Sequence, residues 1–314
     1  MAFRELLRVM GLSLLVLTGW ALLSVTATAA ETFKPFVLAS TSAGSVEEVL
    51  GSTKAALEAQ GFDLAGEYSP YEGAYVLVVT NSFLKKLAAE EEGGAYLIGQ
   101  RIAVVKVGEE VQVSYANPEY LRYAYRIKKD LSPLLEKLKA ALGYRESFGA
   151  EGLSPSKLKK YHYTFGMEYF DDPMKLAEYP THQQAVQTIA KNLRNGVGGT
   201  SQVYRIDAAG GNVTVFGVSM TEDMSSDAKI LQEVDAQPLK HVAHLPYEVV
   251  VFEGKVRALH PRFRIAIDWP DLKMVGAHSF FGITKSPEAI KKALTEVAGG
   301  SYVSHGSRGG FNVQ

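Results

Sequence analysis

In residues 31–145, the pattern of hydrophobic and polar positions predicts a strand, then a helix, then several strands and finally a second helix. An apolar run at 36–39 precedes a helix beginning at Ser45, where apolar positions recur with helical spacing. Ser45 and Glu48 are spaced as a capping box, and glycine 61 marks the end of this helix. The pattern then predicts four strands and a closing helix, at residues 75–79, 102–107, 111–115, 120–125 and 132–142.

The same order of elements recurs in residues 161–298. A strand at 161–167 leads to a helix from Thr181, which ends before Gly196. A closing helix enters through Ser286-Pro287, as the first closing helix enters through Ser132-Pro133. Between them the alternation predicts six strands, at residues 202–206, 213–220, 241–245, 248–252, 256–259 and 263–267. Two polar segments have no counterpart in the first half and are interpreted as surface loops: 169–180 and 220–238.

The repetition predicts an α+β fold with two tandem domains that pack as an intramolecular pseudo-dimer. The layout of each is TATA-binding-protein-like or helix-grip-like, with antiparallel strands between an early and a late helix. We place the first domain at 31–145, a glycine- and serine-rich linker at 146–160, and the second, divergent domain at 161–298. Residues 299–314 are predicted to form a flexible tail.

The N-terminus is the most hydrophobic part of the chain. Arg4 and Arg8 precede an uncharged segment, residues 9–30, that ends in small residues. This pattern is typical of a cleaved signal peptide, with cleavage after Ala29 or Ala30. It predicts a bacterial periplasmic or secreted protein with no membrane attachment after cleavage. The alternative is an inner-membrane anchor formed by residues 9–30 if the segment is retained.

Composition excludes several classes of function. The 314 residues include no cysteine, which removes thiol nucleophiles, iron–sulfur clusters and c-type haem attachment. A formal net charge of −1 argues against a nucleic-acid partner, since such proteins normally show a basic excess.

Residues 36–125 resemble the bacterial family called domain of unknown function 302. The resemblance rests on Ser-Val-Glu-Glu at Ser45, Gly61-Phe62, residues 102–105, and the run from Ser114 through Asn117-Pro118 to Leu121. The second half departs further, with His260-Pro261 in place of Asn117-Pro118. The resemblance implies a fold and no particular reaction.

One candidate site surrounds the Asn117-Pro118 turn. Asn117 with Tyr115 and Tyr120 would hold a small apolar ligand with a polar head. The alternative is that Asn117 makes an Asx turn and the tyrosines pack in the core.

A second candidate site combines basic residues with carboxylates. His260, Arg262 and Arg264 alternate as residues of a strand do and would share one face as an anion-binding pocket. Glu248 would join this pocket; the alternative is that Glu248 and Asp268 simply pair with the arginines.

All seven histidines lie in the second half of the chain, but no helical zinc-binding spacing is present. His241 and His244 would point to opposite faces of the predicted strand 241–245. No metal site and no cofactor are therefore predicted from spacing.

The sequence favours a non-enzymatic protein of the periplasm that binds a small molecule or another exported protein. Two alternatives remain open. One is a hydrolytic or redox enzyme that uses His260 and a nearby carboxylate. The other is a noncovalent haem or metal carrier that uses the histidine-rich half.

Overall fold

Antiparallel strands form the centre of the molecule. The computed structural model describes residues 31–303, and this part of the chain holds eleven strands and ten α-helices. The strands are β1 (Phe36–Ala43), β2 (Asp63–Tyr71), β3 (Ala74–Thr80), β4 (Gln100–Val107), β5 (Glu110–Ala116), β6 (Glu146–Phe148), β7 (Met174–Glu178), β8 (Thr200–Asp207), β9 (Val213–Met220), β10 (Tyr247–Phe252) and β11 (Lys255–Ala258). The helices are α1 (Val46–Ala59), α2 (Ser82–Glu90), α3 (Glu92–Ala95), α4 (Pro118–Ala124), α5 (Ser132–Leu142), α6 (Pro155–Leu158), α7 (His182–Arg194), α8 (Asp227–Val234), α9 (Pro261–Asp268) and α10 (Ser286–Val297).

The strands form two antiparallel sheets with a shared strand order. The first is ordered β2-β3-β4-β5-β1-β6, and the second, read from its opposite edge, β8-β9-β10-β11-β7. The predicted α+β fold class is confirmed. Apart from the extra strand β6, the second sheet follows the strand order of the first, as a tandem duplication predicts. The duplication itself stays a prediction.

The apolar runs of the central strands reflect burial on both faces. Every residue of β9 is buried, as are most of those in β3, β4 and β10. Helix α1 packs on the first sheet and helix α7 on the second, while β2 and β8 bring the two sheets into contact. At that contact a Cβ on Gly66 would lie 2.2 Å from the carbonyl oxygen of Val203, so only glycine fits.

Local signals at the ends of elements are confirmed. Ser45 caps α1 in a complete capping box with Glu48. Thr181 caps α7 by accepting the main-chain N–H of Gln184. Tight turns after residues 107 and 252 join β4 to β5 and β10 to β11.

Two predicted strands are wrong, because residues 120–124 and 263–267 lie in helices α4 and α9, with Tyr125 as the C-cap of α4. Each of these helices begins at a proline preceded by a capping residue, Asn117 in one and His260 in the other. Proline at the first helical position has its φ angle preset and lacks only an N–H that would be unsatisfied there. These helix-start signals override the short alternation of aromatic and polar residues.

Other corrections lie in the second half. Residues 241–245 are not a strand, because Val242–His244 is a 3-10 helix. Residues 161–167 form turns rather than a strand, and the strand equivalent in position to β1 is β7, inside the predicted loop 169–180. The predicted loop 220–238 contains helix α8, which buries Ile230, Leu231 and Val234 against the core.

Residues 31–303 belong to one compact unit. The predicted linker 146–160 contains β6, which pairs with β1, and the short helix α6. The division into two domains stays a prediction. The signal-peptide interpretation of residues 1–30 lies outside the described residues, as does the predicted tail beyond residue 303. Within residues 31–303, no helix has the length and apolar character needed to cross a membrane.

Candidate functional site

A cleft of about 720 Å³ lies between segments from both halves of the chain. Its walls come from Lys34 and residues 148–151 on one side, and from residues 234–241 and 269–278 on the other. The volume falls in the range of about 300–1,000 Å³ found for small-molecule sites. Because its lining comes from four separate segments, no local sequence pattern reveals this cleft.

An aromatic stack forms the inner wall of the cleft. The His241 ring lies over the Trp269 indole, with centroids 5.2 Å apart and planes inclined by 26°. The rings of Phe36 and Phe148 also contact His241, at centroid distances of 4.9 and 5.6 Å. His241 and Trp269 are only 3% and 4% exposed, so the stack is held rigidly.

The C-terminal ends of two helices position the rings of His241 and Trp269. Trp269 is the C-cap of α9, and its main-chain N–H donates to the carbonyl of Ile265. The main-chain N–H of His241 donates to both carboxylate oxygens of Asp235, the C-cap of α8, at 3.0 and 3.1 Å. Burial raises the pKa of Asp235 to about 7, and these hydrogen bonds oppose that rise.

The surroundings of His241 select one tautomer. Its Nδ1 lies 3.1 Å from the main-chain carbonyl oxygen of Asp268. A carbonyl only accepts hydrogen bonds, so Nδ1 carries the proton and Nε2 keeps a free electron pair. Burial lowers the pKa of His241 to about 4, which keeps the ring neutral at pH 7.

One polar group of a cleft-lining residue has no hydrogen-bond partner within residues 31–303. The Nε1–H of Trp269 is fully buried and makes no hydrogen bond. Buried polar groups are nearly always hydrogen-bonded to protein or to water. Because this nitrogen is closed to solvent, it belongs to the packed wall behind the cleft and does not face the open volume.

Two of the predicted site residues, Glu248 and Arg264, lie in a buried ionic network between the sheets. Arg264 Nε is 3.2 Å from Glu248 Oε2, and Arg264 also pairs with Asp268. The predicted pairing of these carboxylates with an arginine is confirmed. Arg101 of β4 lies 3.1 Å from Glu248 Oε1, and Asp268 accepts a 2.6 Å hydrogen bond from Nδ1 of His244.

The ionic network is closed to solvent. Its two guanidinium groups face two carboxylates, and all these side chains are at most 3% exposed. Burial raises the pKa of Glu248 to about 7, against the opposing effect of Arg101. Such a network fixes how two elements pack. Sequence reasoning missed Arg101, whose partner lies 147 residues further along the chain.

The predicted trio His260, Arg262 and Arg264 is split by helix α9. Residues two positions apart on a helix do not face each other. Arg264 is therefore buried in the ionic network, while Arg262 pairs with Glu168 at a smaller cleft of about 410 Å³. His260 lines the same smaller cleft, and its Nε2 lies 3.4 Å from Glu168.

Both ring nitrogens of His260 are engaged. Nδ1 accepts the main-chain N–H of Arg262 at 3.2 Å and thereby caps α9. Nε2 then carries the proton and faces Glu168. Burial lowers the pKa of His260 to about 4, against the opposing effect of Glu168. The histidine and its carboxylate are placed together, but the ring acts as a helix cap.

The residues around Asn117 are engaged in internal hydrogen bonds. Asn117 Oδ1 accepts the N–H of Glu119 at the start of α4, and its amide donates to the carbonyl of Lys34. Tyr115 donates to the carbonyl of Gly143, and Tyr120 donates to that of Ile267. None of these three predicted site residues lines the 720 Å³ cleft.

Among residues 31–303, no group of three or more histidine, aspartate or glutamate side chains is arranged to hold a metal ion. Comparison with protein-family models, curated proteins and solved structures gave no match to this chain. The resemblance to domain of unknown function 302 stays a prediction.

Proposed function

We propose that the protein is an exported, non-enzymatic binding protein whose small ligand occupies the cleft beside His241 and Trp269. The observation that carries the proposal is the cleft of about 720 Å³, whose lining combines apolar residues such as Leu239 and Leu272 with polar ones such as Lys34 and Lys273. Apolar surface with a few fixed polar groups is the usual composition of small-molecule sites. A ligand would bury its apolar part against the apolar lining of the cleft and pair with the polar side chains there.

Export is part of the proposal. Residues 9–30 carry the hydrophobic pattern of a signal peptide, and a cysteine-free chain needs no disulfide chemistry in the periplasm. The pseudo-dimer is part of it too, and the shared strand order and the buried Arg101–Glu248 pair support it.

The enzymatic alternative places catalysis at His260 with Glu168. It has weaker support, because His260 uses one nitrogen as a helix cap and Glu168 is already paired with Arg262. The ionic network offers no better site, since Glu248 and Arg264 are closed to solvent.

Trp269 provides a direct test. The chain has two tryptophans, Trp20 and Trp269, so a Trp20→Phe chain reports on the cleft alone. We would titrate this chain with 1-anilinonaphthalene-8-sulfonate, a planar aromatic anion, and follow quenching of Trp269 emission. Ala277→Phe would fill the cleft from an exposed lining position, and Ala209→Phe would add the same ring at an exposed position outside it.

We expect saturable quenching that Ala277→Phe weakens by about tenfold or more, the loss of about 1.4 kcal/mol of contact, and that Ala209→Phe leaves unchanged. Native mass spectrometry of the periplasmic protein should show a bound small molecule that Ala277→Phe lacks. Quenching that is equal in both variants, with no bound mass, would overturn the proposal.

A further inference from the structure

Four of the exposed apolar side chains lie in two loops, residues 161–170 and 272–283. In descending order of exposed fraction they are Phe165 (99%), Val275 (71%), Phe281 (71%) and Met274 (45%). Single apolar side chains are common on protein surfaces, whereas clusters of them mark interaction sites.

Contacts between the two loops hold them side by side. The Tyr163 ring lies 6.2 Å from the Phe280 ring, and the Tyr163 hydroxyl donates to the carbonyl of Leu272. Within the second loop, the main-chain N–H of Phe281 donates to the carbonyl of Met274 at 3.0 Å. The four exposed side chains therefore lie on neighbouring loops, and we call them the apolar patch: Phe165, Met274, Val275 and Phe281.

Exposed lysines lie in or beside the same loops: Lys159, Lys160, Lys273 and Lys285. None of the four makes an ion pair with a carboxylate within residues 31–303. A lysine ammonium on its flexible stem can turn toward anionic oxygen atoms. These lysines are therefore available to an anionic partner.

The carboxylates near the two loops already have partners. Asp171 is bound by both Nη atoms of Arg126, at 2.6 and 2.7 Å. Glu168 pairs with Arg262, also through two hydrogen bonds. Two others accept main-chain N–H groups, Asp172 and Asp271. The four lysines thus outnumber the two carboxylates that have no cationic partner, so the charge beside the apolar patch is net positive.

We infer that the apolar patch inserts into the surface of a lipid bilayer that carries anionic headgroups. Apolar side chains bury at the boundary of headgroups and acyl chains, while lysines attract anionic lipids. Phe165 projects almost completely into solvent, so a protein partner would need a matching pocket, whereas a fluid bilayer accepts any exposed ring. Such docking goes beyond the proposed ligand binding, and it departs from the sequence-based expectation of no membrane attachment.

The test places a tryptophan on the apolar patch and measures whether its ring enters lipid. Phe165→Trp and Phe281→Trp are made separately in the Trp20→Phe chain, and Phe252→Trp is the control. Phe252 is 45% exposed and lies in the hairpin of β10 and β11, outside both loops. The vesicles contain equal parts of phosphatidylcholine and phosphatidylglycerol, with bromine atoms on the acyl chains that quench any inserted tryptophan.

We expect the two patch variants to lose at least about half of the added emission, because rings at a bilayer surface are buried about 5–10 Å deep. Phe252→Trp should have the same emission with brominated and with unbrominated lipid. Trp269 is present in all three chains and is only 4% exposed, so it gives a shared background.

The contribution of charge is tested in the Phe165→Trp chain. Lys273→Gln and Lys285→Gln should each raise the vesicle concentration needed for half of the quenching by about fivefold, the contribution of one lysine near an anionic surface. Lys255→Gln is the control, because Lys255 is also exposed but lies opposite Phe252 in the hairpin of β10 and β11. It should leave that concentration unchanged.

Three results would overturn the inference. One is that brominated lipid quenches neither patch variant, and another is that it quenches Phe252→Trp equally. The third is that the emission of Phe165→Trp shifts with protein concentration in the absence of vesicles, since a second copy of the chain would then cover the patch. Because neither Phe165 nor Phe281 lines the 720 Å³ cleft, these outcomes do not bear on the proposed function.

Discussion

Arg101 of β4 and Glu248 of β10 form a buried ion pair that links the two sheets, with Nη1 3.1 Å from Oε1. Arg264 shares the same carboxylate from α9. Removing one member of a buried pair leaves charge without compensation, at a cost of about 3–5 kcal/mol. We therefore expect Glu248→Ala to lower the free energy of unfolding by that amount, measured by urea titration.

Glu136→Ala is the control for that loss. It removes an exposed pair with Lys139, and exposed pairs contribute about 0–1 kcal/mol. The double variant Arg101→Met, Glu248→Ala should cost less than the sum of the single losses, because each single change strands the other charge. Strict additivity would show that the two residues do not act as a pair.

Asp227 should make stability fall as pH rises. It is buried, accepts the hydroxyl of Tyr68 and the N–H of Met220, and burial raises its pKa to about 7 from an ordinary 3.8. Between these values the unfolded chain ionises while the folded chain keeps the proton, so folded stability is lost as pH rises through about 7. By linkage the loss reaches up to about 4 kcal/mol.

Asp227→Asn isolates this contribution, because asparagine does not ionise. Asp235 and Glu248 also have raised pKa values, so wild type and variant will both depend on pH. We expect the difference between their urea-derived free energies to change between pH 4 and pH 7 and to level off above. Parallel curves across that window would contradict the assignment.

Asn117 and His260 should be interchangeable as helix caps. Each precedes a proline at the first helical position and accepts the N–H two residues later. His260→Ala should cost about 0.5–2 kcal/mol, the usual loss for a cap, while His260→Asn should stay close to wild type. A histidine needed for catalysis would not tolerate asparagine, so any activity lost in His260→Asn with stability intact would favour the enzymatic alternative.

The helix caps, turns and fold class were predictable from sequence because they depend on neighbouring residues. The capping box at Ser45 and the turns after residues 107 and 252 are of this kind. Helices α4 and α9 were not predicted, because the alternation of aromatic and polar residues was given more weight than the Asn-Pro and His-Pro signals for a helix start.

The sites depend on contacts between distant parts of the chain. Arg101 lies in a largely apolar strand, and no neighbouring residue in the sequence identifies Glu248 as its partner. The tautomer of His241 depends on Asp268 and its stacking depends on Trp269, and both residues approach it only in the folded chain. No pattern along the chain records such neighbours.

Gly149 should be essential for the aromatic stack. Its φ angle is +99°, and a Cβ there would lie 2.8 Å from Pro35, 3.0 Å from Phe36 and 3.3 Å from Cε1 of His241. Gly149→Ala therefore adds a steric conflict to the backbone strain, and strain of this kind alone costs more than about 0.4–1 kcal/mol. We expect lower stability together with displacement of the His241 ring from Trp269, seen as a shift in Trp269 emission in the Trp20→Phe chain.

Gly210→Ala is the matched control, since its φ is +83° and no atom lies within 4 Å of the added Cβ. It should lose stability through strain and leave the emission unchanged, so equal emission shifts in both variants would show that Gly149 does not hold the stack in place.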